Sequence, residues 1–285
     1  MNFKDFYKKG SLPISFEIFP PKDEVGIAPL FEALKDLSEF NPAFISVTYG
    51  AGGSTQGWTR DLAIKIQNEL GLNAAFHFTC VGSNRDQIKT YVQNLKAEGL
   101  NLVVALRGDP PAGEKNFVPA KDGFRYASEL VGYLRSIDGF SMAVAGYPEG
   151  HIECKSKEED LKHLKEKVDA GADIVITQLF FDNKDYFDFV GRARKIGIKV
   201  PIIPGIMPVL STAQIKRIST LSGAKIPNPL LQKLEACKED KDAMREVGVE
   251  WALNQCLELK NHGVPGIHFY ILNKSASTRK ILESL

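Results

Sequence analysis

Eight short apolar runs alternate with longer amphipathic stretches from one end of this chain to the other, and that alternation leaves few folds open to it. The runs predict strands over 14–19, 43–48, 73–78, 102–106, 141–145, 173–177, 200–204 and 266–270. The stretches between them predict helices over about 26–38, 58–69, 84–97, 123–136, 157–170, 183–196, 211–221 and 241–262, with a short helix closing the chain. Leu161, Leu164 and Val168 recur at helical spacing in one of these, and Ile64, Ile66 and Leu70 mark another. Gly71, Gly99, Gly171, Gly197 and Gly263 each fall just past a helix, where a left-handed cap is needed. Ser211 stands where an N-cap belongs.

Strands followed by helices build either a closed barrel or an open doubly wound sheet. Eight strands in 285 residues suit a (β/α)₈ barrel, which needs about 250. No G-x-G-x-x-G follows any strand, as a dinucleotide-binding open sheet would require. The expected architecture is a single α/β domain over 1–285, a TIM barrel with a helical insertion near 222–240, where Pro227 and Pro229 lie.

Composition narrows the partners. A net charge of +1 offers no electrostatic footprint for nucleic acid or an anionic membrane. No run of about 18 apolar residues is present, and residues 1–10 lack a signal-peptide pattern. Cys80, Cys154, Cys237 and Cys256 are widely spaced, which argues against a disulfide framework or a zinc knuckle. A cytoplasmic protein acting on a small molecule is expected.

Barrels of this kind carry their chemistry at the C-terminal ends of the strands. Strand alternation places Ser15, Glu17 and Phe19 on one face, then Ser46 with Thr48, and Ala75 with His77 and Thr79. The same rule leads through Ala105 to Arg107 and Asp109, through Ala143 and Ala145 to Tyr147, and through Ile174 and Ile176 to Gln178. The last strand offers His268 and Tyr270. Taken singly, Glu17 reads equally as a paired structural carboxylate, His77 as a core histidine, Arg107-Gly108-Asp109 as a self-paired turn and Gln178 as a strand cap. Their recurrence at nearly every strand exit argues for a site, because buried charges are costly unless paired.

Several chemistries lack their parts. No His-x-His pair serves a metal, and no inward lysine on a strand serves a Schiff base. Pro204-Gly205-Ile206-Met207-Pro208 and Ile271-Leu272-Asn273-Lys274 match a phosphate-binding barrel loop poorly. A polar, aromatic mouth with one deep carboxylate suits a planar cofactor and a nitrogen-containing substrate.

Nine segments in order resemble the methylenetetrahydrofolate reductase family across the chain. They are Ser15-Phe16-Glu17-Ile18-Phe19-Pro20-Pro21, Ser46-Val47-Thr48-Tyr49-Gly50-Ala51, His77-Phe78-Thr79-Cys80 and Ala105-Leu106-Arg107-Gly108-Asp109-Pro110. Then come Tyr147-Pro148-Glu149 with His151, Lys167-Val168-Asp169-Ala170-Gly171-Ala172, Thr177-Gln178-Leu179-Phe180-Phe181-Asp182, Pro204-Gly205-Ile206 and His268-Phe269-Tyr270-Ile271-Leu272-Asn273. The resemblance implies the short bacterial form, without a regulatory domain. It implies FAD-dependent reduction of 5,10-methylenetetrahydrofolate to 5-methyltetrahydrofolate, ping-pong, with NADH or NADPH as donor, in the one-carbon metabolism that serves methionine biosynthesis. Homo-oligomers or heteromeric redox complexes are the family's assemblies.

By the same resemblance Glu17 is the general acid and Asp109 the carboxylate that stabilises the folate cation. Gln178 serves pterin and nicotinamide, Thr48 lies near the nicotinamide, and Gln214 and Lys274 contact the folate. FAD contacts come from Tyr49, Ala51, His77, Arg107, Gly108, Asp109, Tyr126, Ala127, Tyr147, His151, Asp160 and Lys167. Phe16 and Ile18, flanking Glu17, are expected to raise its pKa by desolvation. Two positions depart from the pattern: Lys274 replaces an arginine and Ile218 an aromatic. They leave open a second reading, in which the barrel is the folate-reducing flavin subunit of a larger complex and takes electrons from a partner protein.

Overall fold

The computed structural model describes residues 1–8, 10, 12–49, 56–109 and 117–285. Its strands are β1 (Ile14–Ile18), β2 (Ile45–Val47), β3 (Ala74–Thr79), β4 (Leu102–Leu106), β5 (Ser141–Gly146), β6 (Ile174–Thr177), β7 (Ile202–Ile203), β8 (Gly205–Ile206) and β9 (Ile267–Tyr270). All pair in parallel, in the order β7-β6-β5-β4-β3-β2-β1-β9-β8. The expected strand 200–204 is thus split and shifted. Pro204 has no N–H to donate, so the ladder breaks there. The half before it, β7, pairs with β6, and the half after it, β8, pairs with β9. The two halves form one stave that joins the ends of the sheet, and an eight-stave barrel closes.

That seam is tightly built. The Pro204 carbonyl accepts from His268 N–H at 3.0 Å, and Gly205 N–H donates to Thr177 Oγ1 at 2.9 Å. The Tyr270 hydroxyl reaches across to the Thr177 carbonyl at 2.6 Å. A Cβ at Gly205 would lie 2.3 Å from that carbonyl oxygen, so only glycine fits.

The helices are α1 (Phe3–Phe6), α2 (Ile27–Ser38), α3 (Gln56–Leu70), α4 (Arg85–Ala97), α5 (Ala127–Ser136), α6 (Lys157–Asp169), α7 (Asn183–Lys195), α8 (Thr212–Ser222), α9 (Asn228–Ala236), α10 (Lys241–Asn261) and α11 (Ala276–Glu283). Ser211 caps α8 by accepting from Gln214 N–H, and the five expected C-terminal glycines all adopt left-handed backbone. Helix α5 starts four residues later than expected. The Glu129 carboxylate accepts from the N–H groups of Arg125 and Tyr126, holding the chain extended up to residue 126. Among the described residues no helix is long and apolar enough to cross a membrane.

Two apolar layers follow from strand alternation. Phe16, Ile18, Val47, Phe76, Val144 and Phe269 point outward onto the helices. Phe44, Ala75, Leu102, Val104, Ala143, Ile174, Ile176 and Ile203 fill the barrel. Helix α1, which no periodicity announced, plugs its N-terminal end. Phe3 is fully buried there, edge-on to Phe44 at 5.0 Å. On β4 the expected phase is reversed: Val104 fills the barrel and Ala105 faces out. The strand stops at Leu106, and Gly108 at φ +88° breaks the alternation, so counting back from Arg107 misassigned the face.

Candidate active site

A cavity of about 510 Å³ opens at the C-terminal ends of the strands. Glu17 from β1, His77 from β3 and Tyr270 from β9 line its depth, with Thr48, Tyr49, Arg107, Gly108, Asp109, Tyr147, His151 and Gln178 from the loops beyond the strands. A second cavity of about 260 Å³ shares Leu106, Arg107, Ala145, Tyr147, His151 and Glu153 with the first, and its own walls include Tyr126, Ala127, Asp160 and Lys167. Together the two form one elongated cleft. Of the residues assigned to cofactor or substrate by the resemblance, Gln214 and Lys274 line neither cavity, and Ala51 lies outside the described residues.

Glu17 stands at the centre of the deep end. Its Oε2 lies 3.3 Å from His77 Nε2 and 3.8 Å from His268 Nε2. Both nitrogens are buried, and neither meets hydrogen-bond geometry with a partner. Burial pushes the Glu17 carboxyl up, but the neighbouring imidazoles of His77 and His268 outweigh it and hold the pKa down at about 2. That reverses the expected direction. Phe16 and Ile18 cannot desolvate Glu17 because they point to the opposite face of β1, while β3 and β9 set histidines beside it. His268 is itself pushed toward its neutral form, chiefly by burial.

Farther out the cleft carries charges of both signs, Arg107, Lys155 and Lys167 beside Glu153, Glu159, Asp160 and Glu166. Arg107 forks onto Glu153 at 2.5 and 2.8 Å and lies over the Phe117 ring at 5.5 Å. The hydrogen bond from Arg107 holds Glu153 below its ordinary value. Lys167 donates to the Ala145 carbonyl at 2.6 Å and lies 5.8 Å from the centre of the Tyr147 ring. Burial lowers its ammonium to about 8, with Asp160 pulling the other way. Asp160, 6% exposed, is raised by burial against the same lysine.

The polar groups around the deep end are held by short local bonds. Gln178 donates its backbone N–H to the Gly146 carbonyl at 2.7 Å, and its Oε1 accepts from Leu179 N–H at 2.9 Å. Gln214 Oε1 accepts from Leu210 N–H at 2.7 Å, which leaves its buried Nε2 without a partner. Ile218 and Leu221 of α8 give the cavity an apolar wall, and Ile152 and Ser222 line it as well. Lys274 is exposed two residues after Leu272, a wall residue. Glu153 was invisible to strand alternation because it belongs to the loop after β5. Tyr270 was on the expected face, but nothing in the sequence showed that its hydroxyl closes the barrel seam.

The methylenetetrahydrofolate reductase family model matches residues 2–285. The chain is 38% identical to the 5,10-methylenetetrahydrofolate reductase of Salmonella typhimurium over 277 residues, covering 97% of this chain and 92% of that one. It is 39% identical to methylenetetrahydrofolate reductase (NADH) 1 of Arabidopsis thaliana over 293 residues, covering 99% of this chain and 50% of that one. It spans about half the length of its plant and fission-yeast relatives and more than nine-tenths of its enterobacterial ones. A Clostridium thermocellum protein that binds two copies of 5-methyl-5,6,7,8-tetrahydrofolic acid shares the fold, with a TM-score of 0.63 at 15% identity over 96% of each chain. With the family model spanning nearly every residue, the chain belongs to the methylenetetrahydrofolate reductase family.

Proposed function

We propose that this chain binds FAD and reduces 5,10-methylenetetrahydrofolate to 5-methyltetrahydrofolate, with NADH or NADPH as hydride donor in a ping-pong cycle. The observation that carries the reading is the elongated cleft, with a carboxyl between two histidines at its deep end and Arg107, His151 and Lys167 among the charged groups of its other arm. The residues fit the cofactor. Leu106, Ala145 and Ile176 offer apolar walls to a planar ring, and Arg107, His151 and Lys167 offer donors to a diphosphate. Tyr49, Gly108, Tyr126, Ala127, Tyr147 and Asp160 complete that cradle, and Ala51 is assigned to it from the resemblance. A bound FAD would supply the hydride chemistry that links a nicotinamide donor to the one-carbon unit of the folate.

The chain's own part is binding, charge and proton delivery. Opening the folate ring requires a proton on N10, an aryl-substituted nitrogen and therefore a weak base, so a strong acid is wanted. The Glu17 carboxyl, whose side chain is 22% exposed, stays ionised beside His77 while water still reaches it. A stacked ligand removes that water and disfavours the charge, so Glu17 takes up a proton from solvent as the ligand enters and passes it to N10. Asp109, at the mouth, stabilises the cation that follows. Gln178 and Thr48 serve pterin and nicotinamide in turn. The unpartnered Gln214 amide and the Lys274 ammonium are assigned to the folate.

Anaerobic mixing tests the reading. NADH should bleach the flavin of the purified protein, and methylenetetrahydrofolate should restore its colour. If NADH leaves the flavin oxidised while dithionite-reduced protein still passes electrons to the folate, the donor is a partner protein. If the folate does not reoxidise the flavin at all, the proposal is wrong.

A further inference from the structure

Resting on the reading of Glu17 as proton donor, one buried pair beneath it still lacks a task. Ser15 of β1 and His268 of β9 are register partners, and both are essentially inaccessible. Ser15 Oγ lies 2.7 Å from His268 Nδ1, so one of the two donates to the other. The opposite ring nitrogen, Nε2, is 3.8 Å from Glu17 Oε2. Phe44, stacked at 5.9 Å, and Tyr270, edge-on at 5.4 Å, hold the imidazole plane in place. The remaining freedom is the tautomer.

If Ser15 donates, Nδ1 is an acceptor and the proton sits on Nε2, facing Glu17. If Ser15 accepts, a lone pair faces Glu17 instead. The Glu17 carboxylate decides between them. It can only accept, so the imidazole nitrogen facing it at 3.8 Å carries the proton. Nδ1 is left as the acceptor, and Ser15 donates to it.

We propose that Ser15 is a positioning residue for this reaction, which acts through His268 by keeping a proton on the imidazole nitrogen that faces Glu17. The carboxylate then has two N–H groups beside it, from His77 on β3 and His268 on β9, and the conjugate acid is correspondingly strong. Tyr270 is a further titratable neighbour, and it stays neutral with its hydroxyl bonded to Thr177. Without Ser15, His268 is free to protonate Nδ1 and to turn its lone pair toward Glu17. That lone pair would hold the proton on the carboxyl, and Glu17 would become a weaker acid.

The test follows the two half-reactions of the holoenzyme across pH in Ser15→Ala and Ser15→Thr. In Ser15→Ala the alkaline limb of flavin reoxidation by methylenetetrahydrofolate should move up by about one pH unit, a roughly tenfold weakening of the acid. Flavin reduction by NADH should keep its profile, and Ser15→Thr should restore the limb. A purely structural role would not move the limb, so an unshifted limb overturns the proposal. Wild-type protein is tested independently by ¹⁵N spectra of its five histidines. His268 should carry its proton on Nε2, and a proton on Nδ1 overturns the proposal even if folate reduction itself is absent, a failure that belongs to the functional reading alone.

Discussion

Replacing Asp173 with alanine should open the floor of the barrel. The carboxylate, 4% exposed, accepts from Met142 N–H and Ser141 Oγ at 2.9 Å each and from Arg135 at 3.0 Å, with Lys4 at 3.2 Å. Ser141 Oγ in turn accepts from Phe3 N–H, so the plug helix hangs on the same network. Two of those donors are buried, and stranding a buried donor costs about 1–3 kcal/mol. Arg135 and Lys4 are half-exposed and regain water, so they add little. The sum is about 2–6 kcal/mol, or a fall in Tm of about 4–12 °C for a protein of this size.

The pH dependence follows from the same bonds. Burial raises the Asp173 carboxyl, but its hydrogen bonds and Arg135 bring it below the ordinary value of 3.8. A depressed carboxyl stabilises the fold fully above its unfolded pKa and loses that contribution as pH falls through its folded one. The gap between wild type and Asp173→Ala in urea denaturation should therefore stay constant from neutrality down to about pH 5 and narrow below about pH 4. Lys4→Ala should cost under about 1 kcal/mol. If Asp173→Ala melts within about 2 °C of wild type, or if Lys4→Ala costs as much, the network does not hold the plug.

Other substitutions probe the cleft. Lys167→Met should lower FAD retention, measured as flavin per chain, and should stabilise the apoprotein at neutral pH. The lysine's folded pKa of about 8 lies below its unfolded 10.5, so its charge opposes folding below 8 and the penalty fades as pH rises toward 10.5. Glu153→Ala should free Arg107 for the diphosphate and tighten FAD binding severalfold in a titration of the apoprotein. Glu149→Ala should raise the KM for folate with little change in kcat. Both oxygens of Glu149 accept from Lys225 N–H, at 3.0 and 3.1 Å, and so tie the loop after β5 to the end of the α8 wall.

Most of the barrel was legible because its two periods, 2 and 3.6, are written in the apolar residues, and glycines mark the helix ends. What escaped depends on contacts distant in sequence. Helix α1 is too short for periodicity, and Phe3 announces itself only by filling the space beside Phe44. The break at Pro204 was visible as a proline, but its role in joining β6 to β9 is a property of the closed ring. Around the site, strand alternation placed Glu17, His77 and Gln178 on the face that lines the cleft and misphased β4, where a left-handed glycine resets the count. The state of Glu17 was misjudged for a related reason. Its sequence neighbours are apolar, but its neighbours in space are His77 and His268, 60 and 251 residues away.

The central claim is that Glu17 delivers the proton for folate reduction, and separating the half-reactions in Glu17→Gln tests it most directly. In anaerobic rapid mixing, the variant's flavin should be reduced by NADH at close to the wild-type rate. Its reoxidation by methylenetetrahydrofolate should slow by at least about a hundredfold, the usual worth of a general acid. Reoxidation at the wild-type rate would contradict the account.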